Sequence, residues 1–149
     1  MAISQDAKHI TIVSYPGQVW SWTAGGGLRG PVVLVGGELL GRPAVAADGL
    51  RAVSGRGRDV LVWDLCTGQL AAALEGHAGR VTSVAVSDDG ALAASGGSDC
   101  CVRVWDLASG SCLAVLQGHT SGIASVAISC DGRFVISGGD CGSLRVWQL

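Results

Sequence analysis

Residues 76–107 read GHAGRVTSVAVSDDGALAASGGSDCCVRVWDL, and residues 118–149 read GHTSGIASVAISCDGRFVISGGDCGSLRVWQL. Laid one over the other, the two stretches share Gly-His at the start, Ser-Val-Ala in the middle, Ser-Gly-Gly before a turn and Arg-Val-Trp near the end. The offset is 42 residues: Gly76-His77 becomes Gly118-His119, and Trp105 becomes Trp147. Trp63 stands a further 42 residues before Trp105, so the period runs upstream. Self-similarity at a fixed period is the signature of a repeat architecture, in which each unit buries its apolar face only by stacking on its neighbours.

Each unit reads as strands. Val81 to Val86 is apolar and rich in β-branched residues, which suits a pleated, half-buried surface. Asp88-Asp89-Gly90 is a turn signal, Ala91 to Ser95 a second strand, and Gly96 to Asp99 another turn. Val102 to Trp105 alternates as a third strand, Ser109-Gly110 turns the chain again, and Cys112 to Leu116 makes a fourth. Four antiparallel strands in about 40 residues is one propeller blade. The composition agrees. The 24 glycines among short Val, Ala, Leu and Ile runs suit many tight turns, and 48% hydrophobic against 15% charged residues excludes a disordered tail.

The Gly-His near one end of each unit and the Trp-Asp near the other, literal at Trp63-Asp64 and Trp105-Asp106, resemble the WD40-repeat β-propeller family. Trp147-Gln148 departs at the second residue. The resemblance implies an all-β fold of four-stranded antiparallel blades forming an incomplete or small propeller. It divides the chain into a weak partial blade (1–34), a degenerate blade (35–75), a well-formed blade (76–117) and a last blade lacking its fourth strand (118–149). In the degenerate blade Gly36-Gly37 stands where Gly-His is expected, and the segment is one residue short. In the first, Ser4 to Ala7 lies on Ser87 to Gly90 and Trp22 on Trp105, making strands of His9 to Val13 and Val19 to Trp22. A count of about four blades leaves three readings: a fragment or isoform of a longer propeller, which we favour, an arc that pairs with a second copy, or a small closed ring. Open strand edges are templates for association in either of the first two.

The family resemblance also assigns roles. A His, a Ser or Thr, an Asp and a Trp of one blade form a hydrogen-bonded chain, since a buried indole N–H needs an acceptor and a buried His and Asp need each other. All four positions are filled by His77, Ser95, Asp99 and Trp105. The last blade has His119, Ser137 and Trp147, but Cys141 holds the Asp position. Either the turn shifts so that the preceding Asp140 serves, or the network is broken. The blade of Trp63 keeps only Ser54 and Trp63. On paper the quartet resembles a Ser-His-Asp catalytic group; the order of contacts and the burial favour a structural role. Network completeness then predicts stability falling toward the N-terminus.

Other chemistry is weakly signalled. Gly25 to Gly30 fits GxGxxG, but Pro31 to Val35 after it reads as a strand where a dinucleotide site needs a helix, so a turn is the better reading. The six cysteines form no CxxC pair, and His9, His77 and His119 are scattered, so neither a metal site nor a cofactor is expected. Adjacent Cys100 and Cys101 at a strand start point to opposite faces. Arg51, Arg56 and Arg58 form one basic cluster; Arg56 and Arg58 in a turn on the face that propellers commonly use suit an acidic or phosphorylated peptide. Family geometry adds Arg80, Ser98, Gly122 and Asp140 to that face.

These readings point to a non-enzymatic protein-interaction scaffold whose partners are other proteins or peptides, with pairing through open strand edges. A net charge of −2 disfavours nucleic-acid and membrane surfaces. Reduced thiols, the absence of a basic-then-apolar leader and the lack of any apolar run near ~20 residues suggest the cytosol or nucleus. Two alternatives are a WD40 sensor fragment of a NACHT- or apoptosome-type signalling NTPase, and a ribonucleoprotein scaffold.

Overall fold

In the computed structural model, residues 43–149 are described in full. Before them the backbone is described at four strands: β1 (Ala2–Ile3), β2 (His9–Ser14), β3 (Gln18–Thr23) and β4 (Gly27–Val33). These make one antiparallel sheet in chain order. Strand β3 pairs with β4 at Trp22↔Leu28 and Thr23↔Gly27. The second half of the GxGxxG match, Gly27 to Gly30, is therefore strand, where a turn is expected from the sequence; ladder pairing to β3 outweighs the glycine-rich composition. Gly25-Gly26, Ser4 to Ala7 and Gly36-Gly37 lie outside the described residues.

The second sheet joins β5 (Ala44–Val45), β6 (Arg51–Arg56), β7 (Asp59–Asp64) and β8 (Gln69–Leu74). The third joins β9 (Val81–Val86), β10 (Leu92–Gly97), β11 (Cys101–Asp106) and β12 (Cys112–Gln117). The fourth has three strands, β13 (Ile123–Ile128), β14 (Phe134–Gly139) and β15 (Leu144–Gln148). Gly96 and Gly97 belong to β10, so the turn that follows is shorter than the sequence suggests.

The turns have local chemical causes. Asp89 Oδ1 accepts from Ser87 Oγ (2.6 Å) and Ala91 N–H (3.0 Å), closing the β9–β10 turn; Asp131 does the same with Ser129 Oγ (2.6 Å) and Arg133 N–H (3.1 Å). The Asp after Trp63 and after Trp105 starts the next turn: Asp64 Oδ1 accepts from Cys66 N–H (2.7 Å) and Asp106 Oδ1 from Ala108 N–H (2.8 Å).

Strand alternation gives the third sheet two apolar faces, and stacking on the second and fourth sheets buries them. Val53, Val60 and Val62 of the second sheet pack with Val81, Ala93 and Trp105 of the third. The opposite face of the third, Ala94, Val102 and Val104, packs with Ile123, Val126 and Val135 of the fourth. Glycines set the closeness of approach. A Cβ on Gly55 would lie 2.8 Å from Val81 Cγ1, and one on Gly96 would lie 2.8 Å from Ile123 Cβ and 2.9 Å from Val126 Cγ1. A β-branched residue at the start of each following sheet thus seats in a glycine hole.

Burial is high in the second sheet although its signature keeps only Ser54 and Trp63. Within residues 43–149 the second sheet is among the most enclosed, with Ala52, Val53, Val60, Leu61 and Trp63 at 0% exposure, whereas Leu144 of the fourth is 72% exposed.

Candidate functional site

In the third sheet, Ala93, Ser95 and Trp105 share the face turned to the second sheet. Trp105 Nε1–H donates to Ser95 Oγ (2.8 Å), which lies 2.8 Å from His77 Nε2; His77 Nδ1 lies 2.9 and 3.0 Å from the two Asp99 oxygens. One tautomer satisfies every donor: His77 Nδ1–H donates to Asp99, Ser95 O–H donates to Nε2, and the indole donates to Ser95. Asp99 also accepts from Ala78 N–H (2.9 Å) and Cys101 N–H (3.3 Å). Burial pulls the His77 pKa below its usual value, against the hydrogen bond and charge of Asp99, so the ring is neutral at pH 7. Burial pushes the Asp99 carboxyl up, but the hydrogen bonds from His77 and Ala78 outweigh it and leave it below the carboxylate norm. Burying an indole is worth roughly 4–6 kcal/mol; leaving its N–H unpaired forfeits about 1–3 of that.

The last sheet keeps the first two links and changes the third. Trp147 Nε1–H donates to Ser137 Oγ (2.8 Å), which lies 2.8 Å from His119 Nε2. His119 Nδ1 meets Ser143 Oγ at 3.0 Å, not Asp140. Neither sequence-level alternative describes this. Asp140 stays at the exposed turn, where its backbone N–H donates to Gly122 O (2.9 Å), and the chain is completed by a serine two residues beyond the Asp position. Ser143 in turn accepts from Cys141 Sγ (3.2 Å). Hydrogen bonds from Ser121 and Ser143 hold the exposed Cys141 thiol down to about 7. In the second sheet Trp63 Nε1–H donates to Ser54 Oγ (2.9 Å), both side chains being buried.

The candidate partner-binding residues gather at one end of the sheets. Val81 N–H donates to Gly57 O (2.7 Å), which brings the Arg56–Arg58 turn beside Arg80. Arg51, read from sequence as part of that cluster, is at the far end of β6, where it reaches Gly90 O (3.4 Å). A six-residue strand spans roughly 17 Å, so the basic group is Arg56, Arg58 and Arg80. Ser98 is occupied in holding the Arg80 loop: its Oγ accepts from Arg80 N–H (2.9 Å), and its own N–H donates to Arg80 O (2.8 Å). A Cβ on Gly122 would lie 3.5 Å from Ser98 Cα and 2.8 Å from Asp140 Oδ2. Arg80, Ser98, Gly122 and Asp140 therefore form one continuous edge, basic toward the second sheet and acidic toward the fourth. At the opposite end a 590 Å³ cleft lies between the second and third sheets, lined by Arg51, Trp63, Asp64, Leu107, Ala108 and Ser109. No helix among the described residues is long and apolar enough to cross a membrane.

Stacked antiparallel sheets of three or four strands, of which the second, third and fourth each carry an indole bonded to a serine, define a β-propeller repeat protein. The chain belongs to the WD domain, G-beta repeat family, whose model matches residues 68–106 and 110–148, more than half of the chain. It is 57% identical over 42 residues to "Small ribosomal subunit protein RACK1y" of Oryza sativa subsp. japonica, a match covering 28% of this chain and 12% of that protein. Two solved structures share the fold: "Structure of U3-55K" (TM-score 0.76, 22% identity) and "Crystal structure of RRP9 WD40 repeats" (TM-score 0.75, 23% identity). Each likeness covers 99% of this chain and 47% of the other, so the chain spans about half the length of these structures.

Proposed function

We propose that this chain is a protein-interaction scaffold that does no chemistry, and that the edge built by Arg56, Arg58, Arg80, Ser98, Gly122 and Asp140 is where a partner docks. The observation that carries the reading is the saturation of the His77–Ser95–Asp99 group. Both ring nitrogens are engaged inside the molecule, and the serine hydroxyl receives the Trp105 indole while bonded to the histidine. Ser95 is 0% exposed, so no substrate reaches it. His77, Ser95, Asp99 and Trp105, with His119, Ser137 and Trp147 and the Ser54–Trp63 pair, act as clasps that hold the blades; the loops carry the function.

Guanidinium forks suit carboxylates and phosphates, so the basic part of the edge favours an acidic or phosphorylated peptide from a cytosolic or nuclear protein. Fluorescence polarisation against a panel of acidic and phosphorylated peptides tests this. Replacing Arg56, Arg58 and Arg80 by alanine weakens the binding about tenfold or more, whereas Arg133→Ala, on an exposed turn at the other end, does not. Equal binding by both variants overturns the assignment of the face.

A ribonucleoprotein setting is the second reading, favoured by the one-repeat likeness to a small ribosomal subunit protein. Co-sedimentation with ribosomal particles, and its loss in high salt, separates it from binding to isolated peptides.

A further inference from the structure

The cleft between the second and third sheets lies at the end of the molecule away from the arginine edge. Two of the residues around it differ in kind from their equivalents in the next sheets. Leu65 N–H donates to Leu50 O, as Leu107 N–H does to Ala91 O and Leu149 N–H to Arg133 O, so Arg51, Leu92 and Phe134 hold one position in three sheets. Strand pairing agrees: Arg51 faces Asp64, Leu92 faces Asp106 and Phe134 faces Gln148. The second sheet therefore has a guanidinium where the others have a large apolar side chain. Val62 pairs with Ala72 and Val104 with Ala114, so Ala71 is the equivalent of Leu113. An alanine there takes less room than the leucine of the next sheet. The cleft measures 590 Å³, within the range of about 300–1,000 Å³ that ligand pockets span.

The walls are of two kinds. Leu50, which is 50% exposed, Ala71, Ala72 and Leu107 make them apolar. Arg51 is half-buried and underused: among the described residues no ion pair reaches it, and it bonds Gly90 O at 3.4 Å. A guanidinium has five N–H donors, so donors remain for a ligand's carbonyl oxygens. The nearby carboxylates are held by their own turns. Asp64 accepts from Cys66 and Thr67 N–H, Asp106 from Ala108 N–H and Ser109 Oγ, and Asp48 from Leu50 N–H. Three carboxylates against one guanidinium leave this end acidic.

We infer that the cleft is a second peptide site whose specificity is opposite to that of the arginine edge: it takes an extended segment with one large apolar side chain flanked by lysine or arginine. The apolar side chain enters between Ala71, Ala72 and Leu107, the segment's carbonyl oxygens accept from Arg51, and its cations meet Asp64 and Asp106. Charge complementarity selects this occupant. An acidic segment satisfies Arg51 but faces three carboxylates, and like-charge juxtaposition suppresses the wrong partner. The inference does not rest on the arginine-edge reading, because the two sites lie at opposite ends and select opposite charge.

Fluorescence polarisation with the full chain tests it. The probes are a capped peptide with phenylalanine between paired lysines, its alanine-for-phenylalanine analogue and its glutamate-for-lysine analogue. The first peptide binds, and the other two bind at least about tenfold more weakly. Ala71→Leu copies Leu113 and fills the cleft. It weakens binding of the first peptide about tenfold or more, while the thermal midpoint stays within about 2 °C because Ala71 is exposed. Asp64→Asn with Asp106→Asn keeps acceptors for the turns, weakens binding about threefold or more and flattens its dependence on salt. The Arg56/Arg58/Arg80 triple alanine variant binds the first peptide with unchanged affinity. Equal or tighter binding of the glutamate peptide overturns the inference, as does full affinity in a folded Ala71→Leu or loss of binding in the triple variant. Absence of binding by the folded chain at millimolar peptide overturns it too.

Discussion

Ser143 Oγ stands 3.0 Å from His119 Nδ1 and does for the last sheet what the carboxylate of Asp99 does for the sheet before it. The exchange keeps the histidine oriented and its N–H paired, but replaces a charge-assisted bond by a neutral one. Charge-assisted bonds contribute about 1.5–3 kcal/mol and neutral ones about 0.5–1.5. Cys141→Asp restores a carboxylate at the repeat-equivalent of Asp99 and is expected to stabilise the protein by about 1 kcal/mol at neutral pH. Urea denaturation measures it; a lower midpoint for Cys141→Asp would show that the turn cannot deliver the carboxylate to His119.

The His77–Asp99 pair makes stability depend on pH in two windows. Burial, opposed by Asp99, sets the folded His77 pKa below 6.5, so the unfolded chain binds the proton first. Stability from this group is complete above about pH 6.5 and falls as the pH drops below that value. The folded Asp99 pKa lies below 3.8, so its contribution is present above about pH 4 and is lost as the pH falls further, through the folded value. Denaturation midpoints across pH 3–8 are expected to decline from about 6.5 downward, and His77→Gln to flatten the upper window. A midpoint that rises on acidification from pH 7 to 5 contradicts the neutral-ring assignment.

Gly96 is expected to be intolerant of any side chain. Its Cβ position is already taken by Ile123 and Val126, so Gly96→Val costs about 2–3 kcal/mol by overpacking. Chemical denaturation of Gly96→Val beside Gly138→Val compares the two sites directly, since nothing lies within 4 Å of a Cβ built on Gly138.

Cys100 is the one non-glycine with a positive φ among the described residues, at 64°, and Gly142 holds the equivalent place one repeat later at 81°. The left-handed region costs an L-residue roughly 1–2 kcal/mol, part of which glycine returns through its greater unfolded-state entropy. Cys100→Gly is expected to stabilise the protein by about 0.5–1 kcal/mol, read as a raised thermal midpoint.

The repeat made much of this fold legible. The 42-residue spacing and the alternation of Val102 to Trp105 locate strands that the structure places within a residue or two, because local pattern and blade geometry agree. The Trp105–Ser95–His77–Asp99 contacts were equally readable, each residue type having one use in a buried chain. What depends on contacts between sheets was not. Arg80 joins Arg56 and Arg58 only through the Val81–Gly57 hydrogen bond, and nothing in a run of three nearby arginines says that Arg51 sits at the other end of its strand. Ser143 escaped notice because it is offset by two residues from the Asp it replaces; a search for any hydroxyl within one turn of Cys141 would have found it. Nor does the sequence show that Ser98, a candidate for the partner-binding edge, also bonds the Arg80 backbone through its Oγ and its N–H.

The most direct test of the account separates holding from binding in one experiment: polarisation titrations of the acidic and phosphorylated peptides, at 10 °C, against the unmodified chain, His77→Ala and the Arg56/Arg58/Arg80 triple alanine variant. His77→Ala, although its unfolding midpoint falls, is expected to bind with unchanged affinity while still folded, and the triple variant to keep its midpoint but lose binding at least about tenfold. Unchanged affinity in the triple variant, with binding lost in a folded His77→Ala, would contradict it by placing function in the histidine cluster instead of the loops.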